Sequence, residues 1–175
     1  MNILITGAKG FVGKNLAAAL QNVKDGKDKT HPGLEIGELY LYDIDSTAEL
    51  LDEACKNADF VFNLAGVNRP QNPDEFMQGN FGFASTLLDT LKKHNNRCPI
   101  VLSSSIQATL IGRYDSDYGR SKKLNKSSNV DRVLGVEGRA VKKGGIILAC
   151  SKTPEAHKRA HQPKGHILML LLLLP

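Results

Sequence analysis

Seven residues near the start of the chain limit its folding options more than any others. Gly7-Ala8-Lys9-Gly10-Phe11-Val12-Gly13 follows a short apolar run, Asn2–Thr6, and precedes a segment in which Val12, Leu16 and Leu20 recur at i, i+4 and i+8. The run suits a buried parallel strand and the recurrence suits an amphipathic helix. Three glycines between them mark a tight strand-to-helix turn. The first makes the turn, the second lets backbone approach a pyrophosphate, and the third lets the helix pack closely on the sheet. The helix start adds unpaired N–H groups and the positive end of a dipole. Gly7, Lys9, Gly10, Phe11, Val12 and Gly13 are therefore candidate dinucleotide-binding residues, with an ordinary tight turn as the bland alternative. A phosphate loop of the NTPase kind does not fit, because five residues separate Gly7 from Gly13 and Asn15 follows Lys14 where Ser or Thr is needed.

The same alternation continues. Lys24–Gly33 is a polar loop, and Glu38–Tyr42 reads as a strand ending at Asp43. Ser46 and Glu49 have capping-box spacing ahead of a helix carrying Leu50, Leu51 and Ala54. Asp59–Leu64 is another buried strand, closed by Ala65-Gly66. A helix from about Glu75 to His94 spaces Phe83, Leu87 and Leu91 by four, Pro99–Leu102 is a further strand, and a helix starts near Tyr118. Strands alternating with helices predict an α/β, Rossmann-like, doubly wound parallel sheet.

The ribose-binding acid of such a site is expected roughly 20 residues beyond the turn. Asp43 lies 30 residues beyond Gly13, so it can end the second strand and meet the ribose, or end the third and lie near the adenine. Lys24, Lys27 and Lys29 are candidates for a ribose 2′-phosphate, against the plainer reading of a solvated loop. These residues leave NAD and NADP both open.

Tyr118-Gly119-Arg120-Ser121-Lys122 places a phenol and an ammonium at i and i+4, on one helix face. The positive charge favours the phenolate and so proton transfer near neutral pH. Ser103-Ser104-Ser105 ends a strand at the sheet edge where open α/β proteins bind ligands, and a hydroxyl there can hydrogen-bond a substrate oxygen.

Taken together, the Gly turn, Leu64-Ala65-Gly66, the Ser run and the Tyr118/Lys122 pair resemble, in order, the extended short-chain dehydrogenases/reductases of the NAD-dependent epimerase/dehydratase family. Gly7–Leu16, Leu64-Ala65-Gly66-Val67-Asn68-Arg69-Pro70 and Ser103-Ser104-Ser105-Ile106-Gln107-Ala108 are similar to one branch, the capsular-polysaccharide bifunctional UDP-sugar reductases/epimerases. The resemblance counts Leu64–Gly66 as following a fourth strand. It implies NADP or NAD as cofactor. The implied reaction is reduction of a UDP-linked 4-keto-6-deoxy N-acetylhexose for capsular or surface polysaccharide, with UDP-sugar epimerase or dehydratase activity, or non-catalytic dinucleotide binding, as alternatives. It further implies Tyr118 as general acid, Lys122 as the residue that lowers its pKa and holds the nicotinamide ribose, and Ser105 (or Ser104) as hydrogen-bond partner of the substrate oxygen. Asn80 matches a residue with a structural role, Leu64, Ala65 and Gly66 pass close to the cofactor, and Asn68 and Arg69 are candidates for lining the substrate pocket. No metal is implied, and the full-length family implies a homodimer.

The resemblance covers residues 1–123 and then stops. Residues 1–123 hold 14 Lys+Arg against 15 Asp+Glu, whereas 124–175 hold 9 against 3, so the whole basic excess of the chain lies in the second segment. All ten aromatic residues lie at or before Tyr118. The expectation is an incomplete Rossmann-like domain over 1–123 and an irregular basic tail over 124–175, outside the family, from a reading-frame shift or misjoined fragment or else disordered, with a genuine divergent tail as the bland alternative. An incomplete sheet leaves an open edge and apolar face, so poor solubility is expected of 1–123 alone and impaired activity of the chain. Basic charge confined to the tail argues against nucleic acid as the partner of the folded part. No secretory signal is visible, the apolar run Ile167–Leu174 is too short to span a bilayer, and the three cysteines form no paired motif. A cytoplasmic location without membrane association is expected.

Overall fold

The structure is a computed structural model that describes residues 1–67, 72, 74–105, 116–127 and 146–151, with only the backbone path described for Ser105, 125–127 and 146–151. The elements are β1 (Ile3–Thr6), α1 (Phe11–Lys24), β2 (Leu39–Tyr42), α2 (Ala48–Asn57), β3 (Phe60–Asn63), α3 (Asp74–Phe76), a π-helical stretch (Met77–Gly82), α4 (Phe83–Lys93), β4 (Ile100–Ser105), α5 (Asp117–Ser127) and β5 (Ile146–Ser151). Five parallel strands run in the order β2-β1-β3-β4-β5.

Strands buried on both faces need apolar residues at successive positions, and β1 and β3 have them at Ile3–Ile5 and Phe60–Phe62, each closed by one buried polar residue, Thr6 or Asn63. Leu4, Val61, Ile100 and Leu102 point to one face, where they meet Leu51, Ala54 and Cys55 of α2 and Leu87 and Leu91 of α4. Ile3, Ile5, Phe60, Phe62 and Val101 point to the other face and meet Leu16 and Leu20 of α1. The period-2 alternation of the strands thus divides one apolar run between two cores. Tyr42 stacks on Phe83, ring centroids 5.5 Å apart, and ties β2 to α4.

Two helices, α1 and α4, end where the sequence supplies left-handed residues. After α1, Gly26 (φ 68°) follows Asp25, and the N–H groups of Lys27 and Gly26 reach back to the carbonyls of Asn22 and Val23. After α4, Asn95 (φ 53°) does the same, with Asn96 N–H on Leu91 and Asn95 N–H on Lys92. Both are Schellman closures. Asn96 then donates its side-chain amide to the carbonyls of Cys55 and Ala58, 2.8 Å each, which clamps the end of α2 to the end of α4.

Several local expectations are corrected. Ser46 does not cap α2. Thr47 does, accepting from Leu50 N–H, while the Ser46 hydroxyl accepts from Asp43 N–H inside the turn after β2. Leu64-Ala65-Gly66 follows the third strand, because residues 25–38 form a loop along β1 with no extra strand. The helix expected over 75–94 is interrupted by the π-helical stretch, and the α5 helix continues past Leu124 to Ser127. Ile146–Ser151, for which the sequence reading has no element, pairs with the whole of β4. Among the described residues no helix is long and apolar enough to cross a membrane.

Replacing Asn96 with Ala strips the only side-chain donor of this clamp from two helix-end carbonyls. Unfolding by urea should show a loss of roughly 1–3 kcal/mol, and an unchanged midpoint would refute the clamp.

Candidate functional site

The strand order reverses at β1, so the crevice at the carboxyl ends of β1 and β3 is the topological switch point where such sheets bind ligands. The Gly turn forms one wall. Gly7 has φ 69°, and a Cβ there would lie 2.8 Å from Ala65 N, so both conformation and space demand glycine. A Cβ on Gly13 would lie 2.1 Å from Gly7 O, which is how closely α1 packs on the turn. Gly10 is the N-cap residue of α1, and no side chain caps the helix there. The first-turn N–H groups have no intrahelical partner, so the helix end is open to an anion.

The loop after β3 forms the opposite wall, and buried hydrogen bonds fix it. Thr6 donates its hydroxyl to Asn63 Oδ1 at 2.8 Å and accepts from Ala65 N–H at 3.3 Å. Asn80, on the π-helical stretch, accepts from Val67 N–H (3.0 Å) and donates to Val67 O (2.9 Å) and to Ser121 Oγ (3.1 Å). Ser121 in turn donates to Tyr118 O at 2.8 Å. One buried amide therefore joins the β3 loop to the helix carrying Tyr118 and Lys122.

Asp43 directly follows β2, which settles its position between the two alternatives. Its carboxylate accepts from Lys9 N–H (2.6 Å) and Ile44 N–H (2.8 Å), beside the Gly turn. The Lys9 ammonium pairs with Asp45. Phe11 and Ile44 are exposed nearby in sequence, and Val12 packs against the α1 core. Lys24 and Lys27 lie at the far end of α1, about 20 Å along a 14-residue helix, and pair with Glu38 and Asp25. Lys29 belongs to the same loop.

Lys122 is 6% exposed, and burial pushes its ammonium down from 10.5 to about 8. Its Nζ lies 5.8 Å from the Tyr118 ring centroid and donates to Ser103 O at 3.5 Å. A Cβ on Gly66 would come within 3.0 Å of that Nζ and 2.6 Å of Asn80 Oδ1. Phe76 packs edge-on against Tyr118, centroids 5.6 Å apart. The structure thus brings the Gly turn, Leu64–Gly66, Tyr118 and Lys122 to one sheet edge. Ser104 is partly buried on β4, while Ser105 is described by backbone alone. Asn68 and Arg69 lie outside the described residues.

Sequence reasoning missed Ser121, Phe76 and the Thr6–Asn63 pair. A signal for Asn80 was present: it shares helical spacing with the buried Ala84, Leu87 and Leu91, so it is a polar residue on an apolar face.

A model of the NAD dependent epimerase/dehydratase family matches residues 3–128. The chain is 37% identical over 123 residues to UDP-2-acetamido-2,6-beta-L-arabino-hexul-4-ose reductase of Pseudomonas aeruginosa, covering 70% of this chain and 29% of that protein. The capsular polysaccharide assembling protein CapF of Staphylococcus aureus is 38% identical, with TM-score 0.56 over 75% of this chain and 31% of that one. A short-chain dehydrogenase/reductase superfamily protein of Agrobacterium tumefaciens, solved with NAD, shares the fold at 19% identity, with TM-score 0.59 over 87% of this chain and 48% of that one. The chain spans under a third of the length of the first two relatives.

The Lys122 shift predicts a pH dependence with a definite sign. Its folded pKa lies below the unfolded value, so between pH 8 and 10.5 the unfolded chain binds more protons and stability rises with pH. The buried charge costs on the order of 3 kcal/mol below that window. Denaturant unfolding from pH 7 to 10 should show this rise, and Lys122→Met should flatten it while raising stability at pH 7. Equal slopes for the two proteins would refute the assignment.

Proposed function

The chain belongs to the NAD dependent epimerase/dehydratase family, and on that premise we propose that it is the dinucleotide-binding part of an NAD(P)H-dependent nucleotide-sugar reductase. One observation carries the reading. The Gly turn touches the β3 loop at Ala65, and that loop touches Lys122 at Gly66, so the cofactor cradle and the Tyr118/Lys122 pair adjoin. The residues fit a dinucleotide: an uncapped helix start stands ready for the pyrophosphate, a carboxylate stands at the end of β2, and a buried ammonium stands at the end of β4.

In this reading the bound nicotinamide supplies the hydride. Tyr118 gives its phenolic proton to the oxygen of the carbonyl being reduced. Lys122 favours the phenolate left behind and holds the nicotinamide ribose. Asn80 and Ser121 keep the helix of that pair against the β3 loop. Ser105 or Ser104 orients the substrate oxygen, and Asn68 and Arg69 line the substrate side. The name of the Pseudomonas relative supports a UDP-linked 4-keto-6-deoxy N-acetylhexose as substrate, and CapF supports a role in capsular polysaccharide. The family match ends at residue 128, while β5 (Ile146–Ser151) adds a fifth strand to the same sheet. The expected setting is cytoplasmic, with a homodimer for the full-length protein.

Two measurements test this. The full chain should bind NADH or NADPH, seen as a change in dinucleotide fluorescence. Grafted in place of the matching segment of the Pseudomonas reductase, residues 1–127 should support NAD(P)H oxidation by the UDP-keto sugar. Tyr118→Phe in that graft should cut turnover by about 10²–10⁴-fold without weakening dinucleotide binding. Unchanged turnover would favour a non-catalytic binding role.

A further inference from the structure

Two contacts from the segment before α4 bear on the helix that carries Tyr118 and Lys122. Phe76 closes α3, and Asn80 lies four residues on, in the π-helical stretch. Asn80 donates to Ser121 Oγ, while Phe76 stands edge-on to the Tyr118 ring, centroids 5.6 Å apart and planes at 61°. The polar contact fixes α5 as a body. The aromatic contact bears on the reacting side chain itself.

A phenol ring turns about its side-chain bonds, and such a turn carries the oxygen through several ångströms. The Lys122 ammonium, 5.8 Å from the ring centroid, favours the phenolate only while that oxygen stays near it. The other charged groups of the packed elements are Asp117 and Arg120 on α5, which pair with each other at 3.4 Å, and Asp74 and Glu75 on α3. The π-helical stretch, residues 64–67 and β4 carry no charged side chain. Lys122 is therefore the cation from which a turning phenol would move away. Both rings are half-buried, so water already reaches them, and losing their contact changes position more than hydration.

We propose that Phe76 is a positioning residue for Tyr118: its ring holds the phenol where the Lys122 ammonium acts on it. The inference deepens the reading of Tyr118 as proton donor and rests on it.

The test follows ionisation of Tyr118 in the full chain by carbon-13 NMR of Cζ-labelled tyrosine, with the signal assigned by its loss in Tyr118→Phe. Phe76→Leu keeps apolar bulk and loses the ring. It should raise the proton affinity of Tyr118 by about five- to tenfold, the effect of letting the oxygen drift a few ångströms from the ammonium. Phe76→Tyr keeps the ring and should stay within about twofold of the unaltered protein. In a Lys122→Met background, Phe76→Leu should move the titration by less than about twofold, because no ammonium is left to lose. A purely structural role would not couple the two positions in this way. Circular dichroism and thermal melts check that each variant is folded, and Phe76→Met takes the place of Phe76→Leu if that variant unfolds. A Tyr118 titration that Phe76→Leu leaves unmoved or shifts to lower pH overturns the proposal, as does an equal shift with Phe76→Tyr or without Lys122. The proposal can fail in this way while Tyr118→Phe still cuts turnover in the graft. Unchanged turnover there overturns the proton-donor reading and the proposal with it.

Discussion

Everything at the sheet edge depends on a backbone contact between two loops that carry no side chain at the point of touch. Gly7 turns left-handed against the Leu64–Ala65 peptide, and α1 closes on the turn through Gly13. The contact sets the width of the crevice between β1 and β3. It also aims the start of α1 into that crevice, and Thr6 holds the second loop by its hydroxyl. A methyl group at Gly7 or Gly13 would push backbone against backbone, where no rotamer change relieves the overlap. The glycine pattern is thus a packing requirement before it is a binding feature. The anion-ready helix end follows from the packing.

A second join, made of polar groups, carries the site across to β4. Asn80 spans Val67 and Ser121, and Ser121 returns to the backbone of Tyr118. Buried amides are costly unless each donor and acceptor is met, and a met network fixes one geometry. The π-helical stretch that carries Asn80 fits this role, since such stretches widen a helix locally and recur at functional sites. Gly79 beside it leaves room for Val67, whose Cγ2 would lie 2.4 Å from a Cβ there.

Much of this was legible in the sequence for a physical reason. Parallel strands buried on both faces write themselves as unbroken apolar runs, as Ile3–Ile5 and Phe60–Phe62 do, and the Gly turn and the Tyr118/Lys122 spacing are local patterns. The unreadable parts depend on partners distant in sequence. Nothing local says that Ser46 turns inward to Asp43 and leaves the cap to Thr47, or that Asp45 reaches Lys9 across 36 residues. The Thr6–Asn63 bond likewise needs the register of β1 on β3. The run Ile146–Ser151 is apolar enough for a strand, but a composition argument based on charge and missing aromatics passes over it. Average properties of a segment hide a six-residue element within it.

Lys122 shows how stability and chemistry oppose each other here. The core would be better served by an apolar side chain at a position 6% exposed, because an ammonium there loses most of its hydration. Among the described residues it meets a carbonyl at 3.5 Å and the face of an aromatic ring. Poor local compensation for a buried charge is a recurring mark of residues kept for chemistry. The same burial that makes Lys122 costly brings its proton affinity down to about 8. The supporting shell then has a clear purpose. Asn80, Ser121 and the bare Cα of Gly66 hold the lysine's helix against the β3 loop.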